Sequence, residues 1–219
     1  MRQVVRGFAY FSACCFGLFC LLTLLWSFFP PVSSLMLSYK LSGQSYTRIA
    51  VPIEKISPNL ILAVIHFEDG QYCDHWGVDW DSLSSVLSRS GAPRRGASTI
   101  PMQTVKNLYL WHGRSYVRKA LELPLTLFTS LVWSKRHIME IYLNIAEWGD
   151  GIIGAEAAAQ HYFKKPAARL SRQEAALLAS ALPNPFERNA RQPNTIHQRL
   201  ASIILRRMDN TTVANCVLK

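Results

Sequence analysis

The sequence predicts an all-α fold, a helical domain behind one N-terminal transmembrane helix. Three observations carry that expectation. No residue from 7 to 39 is charged, and 8–29 is interrupted only by Ser12, Thr23 and Ser27, which exceeds the roughly 20 apolar residues a helix needs to cross a bilayer core. Downstream, apolar residues recur at helical spacing, as in Leu60, Ala63, Val64 and Phe67, or Ile138, Ile141, Tyr142 and Ile145. Convincing period-2 alternation is missing, and so is any internal repeat.

The anchor occupies 7–30, after a cytoplasmic tail at 1–6. Arg2 and Arg6 precede the apolar run, so the positive-inside rule leaves the N-terminus in the cytoplasm and the rest outside. Trp26 and the Pro30-Pro31 pair end the run where a membrane interface would lie. A cleaved signal peptide shares the charged start, but its apolar region is shorter and no convincing small-x-small site follows. Residues 31–50 read as a linker or interfacial segment, with Leu35, Met36, Leu37 and Tyr39 suited to headgroups. The exported domain spans 51–208 and a tail covers 209–219.

Within the domain, Ser57-Pro58 marks a helix start, a capping hydroxyl followed by proline in the first turn. That helix delivers Glu68-Asp69 at its C-terminal end, where the macrodipole disfavours carboxylates. Residues 72–80 read as an aromatic, partly buried loop, 81–90 as a short helix and 91–95 as a turn. A helix follows from about residue 100, and after Gly113 another begins that Pro124 should kink or interrupt. Ser134 caps an amphipathic helix, 152–163 is Ala-rich and helical, and Ser171 with Glu174 forms a capping box. Pro183, Pro185 and Pro193 precede a last helix at about 195–208.

The chain carries 24 basic and 14 acidic residues, net +10, with 49% hydrophobic residues. Removing 1–30, which holds Arg2, Arg6 and no acid, leaves 22 basic against 14 acidic residues, or +8. Such a domain is drawn to an anionic leaflet; nucleic acid is not a partner an exported domain meets. Cys14, Cys15 and Cys20 lie in the anchor, which leaves Cys73 and Cys216 as one candidate pair and no disulfide framework.

The stretch 96–122 concentrates the chemistry. Gly96-Ala97-Ser98-Thr99 leads into a helix carrying Gln103, Lys106 and Asn107; beyond Gly113 stand Arg114, Arg118, Lys119 and Glu122. Four cations around one carboxylate suit a phosphate-bearing ligand. Glu68 and Glu122 together offer the carboxylate pair of glycosyl chemistry. Helix-end acids can also be merely solvated. Glu140 and Asn144, one turn apart, read as a structural brace. His66, Cys73 and His75 fit no common zinc spacing. Trp76, Trp80 and Trp111 suit either sugar stacking or packing.

Four motifs occur in order: Glu68-Asp69-x-x-Tyr72-x-x-His75-x-Gly77; Gly96-Ala97-Ser98-Thr99-Ile100-x-x-Gln103-x-x-Lys106-Asn107; Arg118-Lys119-x-x-Glu122; and Glu140-Ile141-Tyr142-Leu143-Asn144. Together they resemble the motif series of the family 51 glycosyltransferases, the peptidoglycan transglycosylase domain, over residues 53–207. The resemblance implies a lysozyme-like, two-lobed helical fold that polymerises lipid II into β-1,4-linked glycan with release of undecaprenyl diphosphate. It makes Glu68 the catalytic base and Glu122 the second catalytic acid. It assigns Lys106, Arg114, Arg118 and Lys119 to the diphosphate, and Ser98, Thr99, Gln103 and Asn107 to the polar cleft. A divalent cation (Mg2+ or Mn2+) sharing the diphosphate charge, a place at the cytoplasmic membrane and contact with cell-division or elongation proteins are further implications. The chain departs from the family at His66 and Phe67, where small residues are usual, at Gln71 in place of a basic residue, and at Pro101-Met102. An imidazole at 66 could shift the pKa of Glu68. Two rival readings stand beside this one: a lytic transglycosylase or lysozyme-type muramidase, and a catalytically weak, membrane-anchored partner of the cell-wall machinery. A muramidase has no use for a cation array.

Overall fold

A computed structural model describes residues 2–88, 98–111, 113 and 115–218. The chain separates into two compact units, Met1–Pro31 and Val32–Lys219. The first is built on α1 (Arg2–Leu25). Its 24 residues span about 36 Å at the usual helical rise and are apolar enough to cross a membrane by length and composition, a test an export signal also meets. Phe11, Phe16, Leu18, Leu21 and Leu24 are exposed along it, a surface that suits lipid better than water.

The second unit is mainly helical. Its elements are α2 (Ser34–Leu41), β1 (Thr47–Arg48), α3 (Pro58–Glu68), α4 (Trp80–Leu87), α5 (Ile100–Tyr109), α6 (Tyr116–Val132), α7 (Lys135–Ile145), β2 (Glu147–Gly149), β3 (Ile152–Ile153), α8 (Ala155–Phe163), α9 (Arg172–Ala181), α10 (Thr195–Arg207) and α11 (Asn215–Leu218), with short 3-10 turns between some of them. The helix starts follow the capping chemistry. The Ser57 side chain accepts the Asn59 N–H with Pro58 in the first turn, Ser134 accepts from His137, and Ser171 with Glu174 completes the capping box.

The core forms around α3, which is buried on every side from Leu60 to Ile65, as an 11-residue helix without a polar face must be. It packs against α9, and α9 packs in turn against α10. Leu60, Val64, Leu178 and Ile204 are fully buried there, each large side chain contributing about 1.5–3 kcal/mol. The helix α5 packs against both α6 and α7, so the candidate cation helices lean on the helix that closes the core. Glu140 and Asn144 brace α7 as the sequence suggests: Glu140 Oε2 accepts the Ile53 N–H at 2.8 Å, and the Asn144 amide exchanges two 2.9 Å hydrogen bonds with the Val51 backbone.

The mainly helical fold expected from the sequence is present, with one small three-stranded sheet of order β1-β3-β2 whose two- and three-residue strands are too short to display a period-2 pattern. Two expectations need amending. Pro124 lies inside α6 without ending it. Both Pro124 and Ala120, whose carbonyl loses its helical donor, are exposed residues, so the proline sits on the side of α6 where the lost hydrogen bond costs least. Lastly, much of 31–50 and 209–219 belongs to the folded unit. In α2, Met36 is fully buried and Ser34 Oγ donates to the Asn107 carbonyl at 3.0 Å. The Tyr39 hydroxyl lies 2.8 Å from Glu147 Oε1 and 3.0 Å from Asp150 Oδ1 and accepts the Gly151 N–H.

A consequence concerns truncation. A domain begun at residue 32 keeps α2, whereas one begun at residue 45 loses the burial of Met36 and Tyr39. Taking about 3 kcal/mol for the pair, the shorter domain should melt roughly 10 °C lower. Side-by-side thermal melts of the two truncations check this; equal midpoints would show that α2 adds nothing to the fold.

Candidate active site

Glu68 closes α3, and its position follows from the two helices that meet there. Asp69 caps α3, and its Oδ2 accepts the Ile100 N–H at the start of α5 at 2.9 Å. Its carboxylate also accepts from His75 Nε2 at 2.9 Å. Thr99 caps α5 through the Met102 N–H, while its hydroxyl donates to the Gly77 carbonyl at 2.5 Å. Gly77 has φ +87°, and a Cβ there would collide with the Ser130 hydroxyl on α6; only glycine suits both demands. The second motif is thereby fastened to the first, and the first to α6.

Gln103 then reaches Glu68. Its Nε2 donates to Glu68 Oε2 at 2.7 Å, and its Oε1 accepts from the Tyr142 hydroxyl at 3.2 Å. The order Tyr142, Gln103, Glu68 leaves Glu68 Oε1 buried with no hydrogen-bond partner among the described residues. An unsatisfied buried carboxylate oxygen is costly. Burial raises the proton affinity of Glu68 above the usual carboxylate range, and Asp69 adds to the rise. The Gln103 hydrogen bond and the charges of Lys106 and Arg188 oppose it. A carboxylate so placed holds a proton more tightly than a solvated one and is the stronger base for it.

The cations gather on α5 and α6. Glu122 is almost fully buried and accepts from Arg118 and, at 2.9 Å, from Lys119 Nζ. Lys119 Nζ also donates to Ser98 Oγ at 2.8 Å. Lys106 is half-buried, and no hydrogen bond joins its ammonium to another described residue. Burial lowers its pKa and Arg118 lowers it further, while Glu68 raises it. Burial, then Arg118 and Lys106, lower the Lys119 pKa to about 8. Three crowded cations with one carboxylate between them leave a surplus of positive charge, which an anionic ligand would relieve.

Of the residues singled out from the sequence, Glu68, Gln103, Lys106, Ser98, Thr99, Arg118, Lys119 and Glu122 form this linked constellation. Asn107 contributes its carbonyl to Ser34 of α2. Arg114 lies outside the described residues, as do 89–97. Sequence reasoning missed Arg188, held by a 2.7 Å bond from its Nη1 to the Ser180 carbonyl and near enough to act on Glu68. It lies in a proline-rich crossing without periodicity, so no sequence signal marked it. The role of Tyr142 was missed too, although its motif was noted. His66 lies about 200° around α3 from Glu68, its Nε2–H donating to the Asn210 carbonyl at 2.8 Å. Trp76, Trp80 and Trp111 are exposed, which rules out core packing. Among the described residues no group of three metal-ligating side chains occurs.

Residues 35–209 match the transglycosylase family, a span that contains every residue of this constellation. The chain is 59% identical over 182 residues to a biosynthetic peptidoglycan transglycosylase of Agrobacterium fabrum, covering 82% of this chain and 80% of that protein. The protein of the same description from Rhizobium meliloti is 54% identical, with 82% and 77% covered. That of Brucella suis biovar 1 is 54% identical over 193 residues, with 87% and 86% covered. A match running from α2 to the end of α10, with relatives aligned over most of both chains, means that this chain belongs to the transglycosylase family.

Proposed function

We propose that the protein polymerises lipid II into peptidoglycan glycan strands at the outer face of the cytoplasmic membrane, with α1 as a single-pass anchor and the N-terminus inside. The observation that carries the reading is the buried oxygen of Glu68, without a hydrogen-bond partner among the described residues, beside a surplus of cations on α5 and α6. Glu68 takes the proton from the sugar 4-hydroxyl of the acceptor. The oxygen so freed bonds to the anomeric carbon of the donor as the bond from that carbon to the diphosphate breaks. The electron pair leaves on undecaprenyl diphosphate, and the α-linked donor becomes a β-1,4 linkage. Lys106, Arg114, Arg118 and Lys119 hold the diphosphate and stabilise its developing charge, which makes a strong general acid unnecessary. Glu122 holds Arg118 and Lys119 in place for that task.

Among the described residues this donor set offers a divalent cation no group of three ligands, so one that shares the diphosphate charge would draw ligands from the substrate itself. Both oxygens of Glu122 are taken by Arg118 and Lys119, and Glu68 offers a single free oxygen. The membrane placement draws on the length of α1 and on the open face of α6, where Tyr116, Val117, Leu121, Leu127 and Leu131 are exposed. Contact with cell-division or elongation proteins follows from sharing a substrate and a membrane with them. The deciding experiment mixes the purified, detergent-solubilised chain with labelled lipid II. Polymer should form; release of fragments from purified sacculi instead would favour the muramidase reading.

The pH dependence has two limbs. Glu68 must be ionised, so kcat/KM should rise with pH through a value above the ordinary carboxylate pKa. Lys119 must be charged, so it should fall as pH passes about 8. A pH–rate series checks both, and in Lys119→Arg, which stays protonated, the alkaline fall should move upward.

A further inference from the structure

The chain beyond α10 is folded back across the outside of the catalytic helix. His66 on α3 donates to the carbonyl of Asn210 at 2.8 Å, and Arg136 at the start of α7 donates to the carbonyl of Val217 at 2.5 Å. Ala214 and Val217 are buried in the same core as α3. A disulfide joins Cys73 to Cys216, 143 positions away. Cys73 sits five residues past Glu68, in the loop that also carries His75. Since His66 and Glu68 are separated by about 200° around the helix, the segment 209–218 supports the last turn of α3 from the face opposite the Glu68 side chain.

That turn needs support. It ends in two adjacent carboxylates, Glu68 and Asp69, at the helix end where the macrodipole opposes negative charge. One of them, Glu68, has a buried oxygen with no partner among the described residues. Fraying would hydrate Glu68 and relieve both penalties, at the expense of its alignment with Gln103. We infer that the C-terminal segment is a strap that positions Glu68, and that the Cys73–Cys216 bond makes its hold conditional on an oxidising compartment. His66, Cys73 and Cys216 are thus positioning residues, which gives the departure from small residues at 66 a purpose. Of the two residues Cys216 is the more exposed, which makes it the one an exchange partner meets first. In closure the two thiols give up two protons and two electrons to a disulfide oxidant, which leaves as its dithiol; a dithiol reductant reverses the step.

The inference rests on Glu68 being the base. Its test uses the full chain with Cys14, Cys15 and Cys20 changed to Ser, so that Cys73 and Cys216 are the only sulfhydryls. Reduction should lower kcat with lipid II about tenfold, a modest share of what misplacing a catalytic group by 1 Å can cost. KM should stay within about twofold. Oxidised glutathione should restore activity, and a further Cys73→Ser/Cys216→Ser variant should remain at the reduced level, blind to reductant. Hydrogen exchange on the reduced protein should quicken at 65–73 and 209–218 while α9 and α10 keep their protection. Unchanged kcat after labelling has shown both thiols free would overturn the inference. So would loss of protection throughout α9 and α10, which would make the bond a general staple. If the oxidised protein forms no polymer, the assigned reaction fails, and the exchange pattern alone still decides whether the strap holds the end of α3.

Discussion

Glu68→Gln should abolish most polymerisation, by roughly 10²–10⁴ in kcat, without loss of stability. The substitution keeps the shape and lets the new amide turn its oxygen toward Gln103 Nε2, which now donates to Glu68 Oε2 at 2.7 Å. The atom facing the acceptor hydroxyl then becomes an NH2, which cannot take a proton. The stability half follows from linkage. Burial raises the folded-state pKa of Glu68, so its contribution to stability is fully present below the unfolded pKa and is lost as pH rises through the folded value. Once ionised, the side chain therefore strains the fold, and an uncharged isostere removes that strain. Lipid II turnover and thermal melts of the wild type and variant together check the claim. A variant that loses activity and also melts lower would mean that Glu68 holds the fold together, and near-normal turnover would move the base elsewhere, with Glu122 next.

The parts of this fold that were legible beforehand are those governed by local chemistry. Ser57 before Pro58 and the Ser171/Glu174 box each satisfy N–H groups within a few residues, and such pairs can be read off a sequence. Glu68, Lys106 and Glu122 were legible for another reason, since charges at the ends or faces of apolar helices are costly without a task. What escaped was set by contacts across long separations. Tyr142 meets Gln103 over 39 positions, and His66 meets Asn210 over 144. Nothing nearby marks the segment after α10 as anything but a polar tail. Pro124 does not interrupt α6, because whether a proline ends a helix depends on which face its missing hydrogen bond occupies, and that face is fixed only by packing.

Lys106→Ala should lower the rate or affinity for lipid II by about one to two decades, the equivalent of one charge-assisted hydrogen bond of ~1.5–3 kcal/mol. The fold should survive, because the Lys106 ammonium makes no hydrogen bond to another described residue and is crowded by Arg118. Removing it also removes a charge that lowers the Glu68 pKa. The acid limb of kcat/KM should accordingly move to higher pH in the variant, a shift that a loss of packing alone would not produce. Lys106→Arg should recover part of the loss, since a planar guanidinium does not replace a compact ammonium in a fitted site. Changing Arg114 as well should deepen the defect toward lipid-linked substrate while leaving binding to diphosphate-free glycan strands nearly untouched. Cleavage of sacculi by the wild type, unaffected by the double substitution, would instead mean that these cations have no diphosphate to hold, and the transferase reading would fall with them.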